Sequence, residues 1–376
     1  MLRRHLGLLM GLVCAVLASV AGVPSPSSAT PATKGSTVAL TMPSAYAPHA
    51  RPGATDDYHC TLMDPRVTRD AFVTSSQFLP GSAEVHHAAL FLVPPSLTAA
   101  ARRADVGGRG WTCFGEASLP GVPFATILKD PMLSEWAPGH GADHFPSGTG
   151  VFLPRGSMVI MQVHYNLLVG KHPVRNRLVL HTVPASTPLQ PLALSIVLAP
   201  PDIPCPAGIT GPLCARAASL ADQGHRFGRH AVQIVDSIEA ACRHDAAAAI
   251  GSTTTSCTWP IGSSGYIVRT QAHMHLLGRS LRLTLDAGTP AARTVLDVPA
   301  YNFDDQRGYN LRAPIRVRSG DTLTVTCTFD PTLAQKLPML RSAPPHFVTW
   351  GDGSTDEMCI GLAYEVKHLP MADRRT

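Results

Sequence analysis

The sequence predicts an all-β protein built from two antiparallel β-sandwich domains. Short apolar or β-branched runs recur along the chain, each bounded by Pro, Gly, Asp or Asn, which is the pattern of half-buried strands joined by turns. The 34 prolines and 31 glycines suit such a chain better than one of long helices. A length of 376 residues accommodates two domains of ordinary size, and a hydrophobic fraction of 45 % supplies their cores and excludes global disorder.

The strand-like runs fall at 85–93, 157–165, 176–183, 193–198, 266–275, 280–285, 322–329 and 358–366. Pro-rich stretches interrupt them at 184–191 and 200–206. The first interruption sets the boundary near 188–191, giving domains over 37–188 and 189–370. One segment departs from the pattern. Residues 213–249 are rich in Ala and poor in turn formers, and Ala231, Ile234, Val235 and Ile238 recur at i, i+3, i+4 and i+7. This reads as a helical insertion whose apolar stripe packs against the second domain.

The N-terminus reads as an export signal. Arg3 and Arg4 precede the apolar stretch 6–20, which is too short for a membrane span, and Ser19-Val20-Ala21 offers a small-residue cleavage site. Residues 1–21 are thus a signal peptide and 22–36 a flexible leader rich in Ser, Pro and Thr. Lipidation at Cys14 is disfavoured by the bulk of Val13. No later stretch suits a stable membrane insertion. Beyond the signal remain Cys60, Cys113, Cys205, Cys214, Cys242, Cys257, Cys327 and Cys359. An even count in an exported chain favours disulfides in a secreted, extracytoplasmic setting, and the absence of close CxxC pairs argues against a thiolate zinc site. Proximity alone suggests Cys205 with Cys214 and Cys242 with Cys257. The net charge of +5 is scattered, with no basic patch for nucleic acid.

Chemistry concentrates in a few short stretches. His273 and His275 are two apart on an expected strand, so both side chains leave one face, a spacing that suits one metal ion. His86 and His87 are adjacent, and a regular strand would send them to opposite faces, so joint ligation needs a strand end or a bulge. His164 shares its strand face with Gln162 and Ile160, which taken alone describes a satisfied core histidine. The segment Asp356-Glu357-Met358-Cys359 gains meaning from the others, since a Met alone is most often core. His140 and His144, near Trp136, read as surface loop residues.

Taken together, His86-His87, then Gln162-Val163-His164-Tyr165, then His273-Met274-His275 with Leu276, then Asp356-Glu357-Met358-Cys359 form an ordered combination. It resembles the copper type II, ascorbate-dependent monooxygenases, the family of peptidylglycine α-hydroxylating monooxygenase and dopamine β-monooxygenase. The resemblance runs from about residue 58 to about 366, interrupted by the helical insertion, with further landmarks at Trp136-Ala137-Pro138-Gly139 and Gly320-Asp321-Thr322-Leu323. It implies two jelly-roll-like sandwich domains side by side and two copper ions per chain. His86, His87 and His164 would be the first site, with Gln162 ordering water beside it; His273, His275 and Met358 would be the second. The resemblance further implies that the Met-ligated copper meets oxygen and substrate, that the all-His copper passes an electron across a solvent cleft, and that ascorbate or a similar donor reloads both. Imidazole suits both copper oxidation states and a thioether favours Cu(I). Pairing of Cys60 with Cys113 and of Cys327 with Cys359 is implied in the same way.

The sequence also departs from the peptide-amidating branch. Gln271 stands where that branch carries an Arg for the substrate carboxylate, Leu362 stands where it carries a Tyr, and the stretch 90–93 lacks a further cysteine pair. The expectation is a secreted copper monooxygenase that hydroxylates an sp³ carbon of a small-molecule or peptide-like substrate with O₂. The main alternative is a non-catalytic secreted copper-binding protein on the same fold. A carbohydrate-binding or adhesive β-sandwich with incidental histidines is the third reading, and it predicts no tight copper.

Overall fold

In the computed structural model, residues 35–370 are described, except 52–53, 114–118, 120, 123–131, 169, 246–250 and 342. The signal peptide and most of the leader therefore lie outside the described residues, and the first strand begins at Ser36. The protein is all-β apart from a few helices, and among the described residues no helix is long and apolar enough to cross a membrane.

Two sheets are built from the first half of the chain. One runs, in spatial order, Ser36–Thr41, Arg177–Pro184, Ala71–Leu79, Thr149–Leu153 and Gln190–Pro191, with Asp143–His144 also paired to Ala71–Leu79. The other runs Trp111–Thr112, Asp56–Met63, Met158–Asn166, Val85–Val93 and Met132–Trp136. Asp56–Met63 and Met158–Asn166 are buried along their whole length; the second carries consecutive apolar residues over 158–161, as a strand covered on both faces does, whereas the first alternates and buries Asp57, His59 and Thr61 as polar groups. Both sheets feed one apolar cluster that includes Phe78, Leu90, Met161 and Leu180.

The second half forms two four-stranded antiparallel sheets. One runs Ala193–Leu198, Cys359–Val366, Gly265–Met274 and Tyr309–Val317; the other runs Thr254–Pro260, Thr322–Phe329, Gly278–Leu285 and Arg293–Val298. A second apolar cluster includes Ile267, Leu281, Leu283 and Val325. The C-terminal strand serves both clusters through the two-residue period of a strand. Leu362, Tyr364 and Val366 join the first, while Cys359 and Ala363 join the second.

The insertion forms two helices, Arg216–Phe227 and Arg229–Cys242, separated by Gly228 at φ 94°. The glycine permits that left-handed turn between them. Ala231, Ile234, Val235 and Ile238 are all buried, as the periodicity requires. The helices also do something the periodicity does not announce. Ser219 Oγ donates to the Phe347 carbonyl at 2.6 Å, Gln223 Nε2 to the Trp350 carbonyl at 2.6 Å, and Arg226 pairs with Asp356 at 2.9 Å. They grip the segment that leads into Met358.

All four disulfides expected from the sequence are present, Cys60–Cys113, Cys205–Cys214, Cys242–Cys257 and Cys327–Cys359. Cys242–Cys257 fastens the end of the second insertion helix to the strand Thr254–Pro260, closing a loop of 15 residues. A loop of that length gives about 3 kcal/mol in the chain-entropy account. Cys327–Cys359 fixes the residue that follows Met358.

Candidate metal centre

His86 and His87 reach one place because the strand carrying them bulges. Val85 pairs with Tyr165 and His87 with His164, so His86 is the extra residue in the ladder. The bulge stacks the two rings at 4.5 Å and 21°. His86 Nδ1 lies 3.3 Å from His164 Nδ1. The ligand atoms of His86, His87 and His164 all fall within 4.8 Å of one another.

His164 is held by three neighbours. Its Nε2 meets Asp56 Oδ1 at 2.8 Å, its face stacks on Tyr58 at 4.2 Å, and Ser354 Oγ donates to the same Asp56 oxygen at 2.6 Å. Burial alone would raise the Asp56 carboxyl, but hydrogen bonds and charge from His164 and the bond from Ser354 bring it down to about 2. With Nε2 committed, His164 has Nδ1 left for a metal. Burial, with repulsion from His164, holds His86 down to about 3; burial and the neighbouring imidazoles hold His87 well below its ordinary value. These rings are neutral at neutral pH, the form that binds metal. His86 Nε2 and His87 Nε2 are buried without a hydrogen-bond partner, an arrangement that costs about 1–3 kcal/mol per atom unless something binds there.

The second set sits against the first. His273 Nδ1 lies 2.6 Å from Gln306 Oε1 and 3.3 Å from Glu135 Oε1, and His275 Nδ1 lies 3.0 Å from the Asp356 carbonyl. Both rings therefore keep Nε2 for a ligand. His275 is driven well below its ordinary pKa, first by burial and then by His273. The strand ends at Met274 and the next begins at Cys359, so His275 and Met358 stand just beyond the ladder rather than inside it as the sequence pattern suggests. Glu357 is the reason. Its fully buried carboxyl group accepts the backbone N–H of His275 at 3.0 Å, Leu277 at 2.6 Å and Met358 at 3.2 Å, replacing ladder bonds with side-chain ones. Burial pushes this carboxyl up to about 8 against the pull of those three donors.

The two histidine sets form one cluster. Ring centroids of His87 lie 5.6 Å from His273 and 5.8 Å from His275, distances like the 5.2 Å between His87 and His164. This corrects the expectation of a solvent cleft between two separated sites. The segment 350–358 closes the gap, through Ser354 to Asp56 and through the Tyr58 hydroxyl donating to the Asp352 carbonyl.

A cavity of about 120 Å³ opens on the cluster. His87, His164, His273, His275 and Met358 line it, as does Gln162, while His86 is buried behind. Gln271 donates to the Gln306 carbonyl at 3.0 Å and to Glu135 Oε2 at 3.3 Å. His140 is not the surface residue expected. Its side chain is 9 % exposed and pairs with Asp143 at 3.5 Å, in a buried network that also holds Arg269. His144 is exposed, in the short strand beside Ala71–Leu79.

Three imidazoles beside a second pair of imidazoles with a thioether form a donor set suited to copper. Comparison with known proteins agrees. Residues 236–367 match the family described as copper type II ascorbate-dependent monooxygenase, C-terminal domain. The chain is similar to the copper type II, ascorbate-dependent monooxygenases. The match contains His273, His275 and Met358, whereas His86, His87 and His164 lie outside it. A tyramine beta-hydroxylase of Caenorhabditis briggsae is 25 % identical over 325 residues, covering 82 % of this chain. The chain spans 42 % of that relative's length. Among solved structures, a Paenibacillus xanthan lyase has a TM-score of 0.19 at 12 % identity, covering 90 % of this chain and 25 % of its own. An allantoicase of Saccharomyces cerevisiae has a TM-score of 0.20 at 10 % identity, with 85 % and 80 % covered. Scores this low carry no argument. The four disulfides fit an extracytoplasmic protein.

Sequence reasoning passed over Asp56, Gln306 and the gripping role of the helices. Asp56 follows Thr55 and precedes Asp57, and Gln306 lies between Asp305 and Arg307, so nothing in the sequence singles them out from their polar neighbours, and only packing brings them to the imidazoles. Glu357 was visible as a neighbour of Met358, but its contacts across the strand end were not.

Proposed function

We propose that the protein is a secreted copper-dependent monooxygenase that hydroxylates an sp³ C–H bond, with His86, His87 and His164 holding one ion and His273, His275 and Met358 a second. The observation that carries the reading is the convergence of four imidazoles and Met358 on one cavity, with His86 grouped beside His87 and His164 and with His86 Nε2 and His87 Nε2 buried without a hydrogen-bond partner. Copper bound there would supply the one-electron steps that activate O₂ for insertion into the C–H bond, drawing electrons from ascorbate or a similar donor. The chain contributes placement more than acid–base chemistry. Asp56, Gln306 and the Asp356 carbonyl orient three of the rings, a role that sets which nitrogen faces the metal. Gln162 stands beside His164 in the lining, where it can order a water molecule. In this reading the paired sheets are two jelly-roll-like sandwich domains, 37–188 and 189–370.

The test is copper content with activity. Metal analysis of the purified protein should give two copper ions per chain, and ascorbate-dependent O₂ uptake should yield a hydroxylated product. His164→Ala and His273→Ala should each lower the copper content by one and abolish turnover. A wild-type content near one under saturating copper would refute the two-site assignment. Two tightly bound ions without any coupled turnover would leave a copper-binding protein.

A further inference from the structure

The cavity has a wall that no part of the metal-binding motif supplies. Its polar lining is the histidine cluster together with side chains that sit beside it, such as Tyr58 stacked on His164 and Glu135 next to His273. The rest is chiefly aliphatic. Ile234 and Ile238 come from the second insertion helix, Ile196 and Leu198 from the strand Ala193–Leu198, and Ile360 and Leu362 from the C-terminal strand. Ile234 and Ile238 are four apart, so they stand one above the other on a single helix face. That face cannot readily withdraw. The Cys242–Cys257 bridge fixes one end of the helix, and Arg216 pairs with both Asp202 and Glu239 across the helical pair.

We infer that the second insertion helix is the specificity wall of the site, and that the cavity takes a substrate bearing one compact apolar group, with Ile234 and Ile238 setting the length admitted. The inference rests on the reading under Proposed function and deepens it. A cavity of about 120 Å³ is close to the roughly 150 Å³ that holds one benzene ring in an apolar protein interior, so the admitted group has about six heavy atoms. A polymer or an extended lipid chain does not fit behind a wall fastened this way. No charged side chain comes from the helix or from the two strands that complete the aliphatic lining.

The experiment measures binding of primary n-alkanols, from ethanol to decanol, to the copper-loaded protein by titration calorimetry. It compares the wild type with Ile238→Ala and Ile238→Val, each checked for its near-ultraviolet dichroism and copper content. Affinity should rise roughly fourfold per methylene, the increment for burying one CH₂, and stop rising at about six carbons. Ile238→Ala should move that limit outward by one or two carbons, and Ile238→Val by less. A limit unmoved in folded, copper-replete variants would overturn the inference, as would affinity independent of chain length. The readout does not need turnover. If hydroxylation fails while the chain-length limit moves with Ile238, the proposed reaction fails and the wall assignment stands. If the protein hydroxylates and the limit stays fixed, the wall assignment alone fails.

Discussion

Replacing Glu357 with Ala should damage the second metal set without touching a ligand. The carboxyl group accepts three buried backbone N–H groups, those of His275, Leu277 and Met358, and the side chain is fully buried. In Glu357→Ala these donors lose their partner at the ends of two strands, where no ladder bond replaces it. An unsatisfied buried donor costs about 1–3 kcal/mol, so three give a loss of about 3–5 kcal/mol after partial relaxation and water entry. Glu357→Gln keeps one carbonyl oxygen but turns an NH₂ toward other donors, so it should lose about 1–3 kcal/mol. Urea denaturation followed by circular dichroism gives both numbers. Sulfur scattering in the Cu(I) X-ray absorption spectrum reports whether Met358 still reaches the metal. A Glu357→Ala protein within 1 kcal/mol of wild type, with unchanged sulfur scattering, would refute the reasoning.

Further outcomes follow from the same geometry. Met358→Ile keeps the bulk of a buried residue, so stability should change by less than about 1.5 kcal/mol while hydroxylation collapses and the sulfur signal vanishes; a folded, fully active variant would remove Met358 from the site. His86 titrates near 3 in the folded chain and near its ordinary 6.5 unfolded, so metal-free stability should fall as pH drops from about 6.5 toward 3, where the unfolded state binds more protons. Copper at the three-His set should for the same reason persist to about pH 5, and dissociation centred at 6.5 would contradict this. Peptides ending in glycine should be poor substrates by at least tenfold in kcat/KM against an apolar substrate of about six heavy atoms. Gln271 already donates to Gln306 and Glu135, and Leu362 offers no hydroxyl for a carboxylate. Efficient oxidation of a glycine-extended peptide would overturn that expectation.

The strands were legible because their period is short and local. The run 85–93 and the run 322–329 match the observed strands residue for residue, and the helical stripe at 231–238 is buried as its spacing requires. The need for a bulge at His86-His87 was also readable, since two adjacent side chains cannot share a face of a regular strand. The contacts that make these residues a cluster are not local. Asp56 lies 108 positions from His164 and 298 from Ser354, and no periodicity of a single segment encodes such meetings. The ends of the ligand strands were misjudged for a related reason. A hydrophobic run continues through His275 and Met358, but the carboxylate of Glu357 ends the ladder one residue short on each side.

The segment 350–358 has a thermodynamic consequence. Its middle holds Asp56, and through it His164, by way of Ser354; its C-terminal end carries the carbonyl of Asp356 that meets His275, and then Met358 itself. Ions of like charge that bind to rings under 6 Å apart also repel one another. In the proposed reading the two affinities would therefore not be separable quantities. In the proposed two-ion reading, filling the first set would change the free energy of filling the second, and reciprocity would require the reverse effect to be of equal size. If the proposed two ions bind, the loading curve would be that of a coupled pair, and the charge of one ion would set part of the affinity of the other.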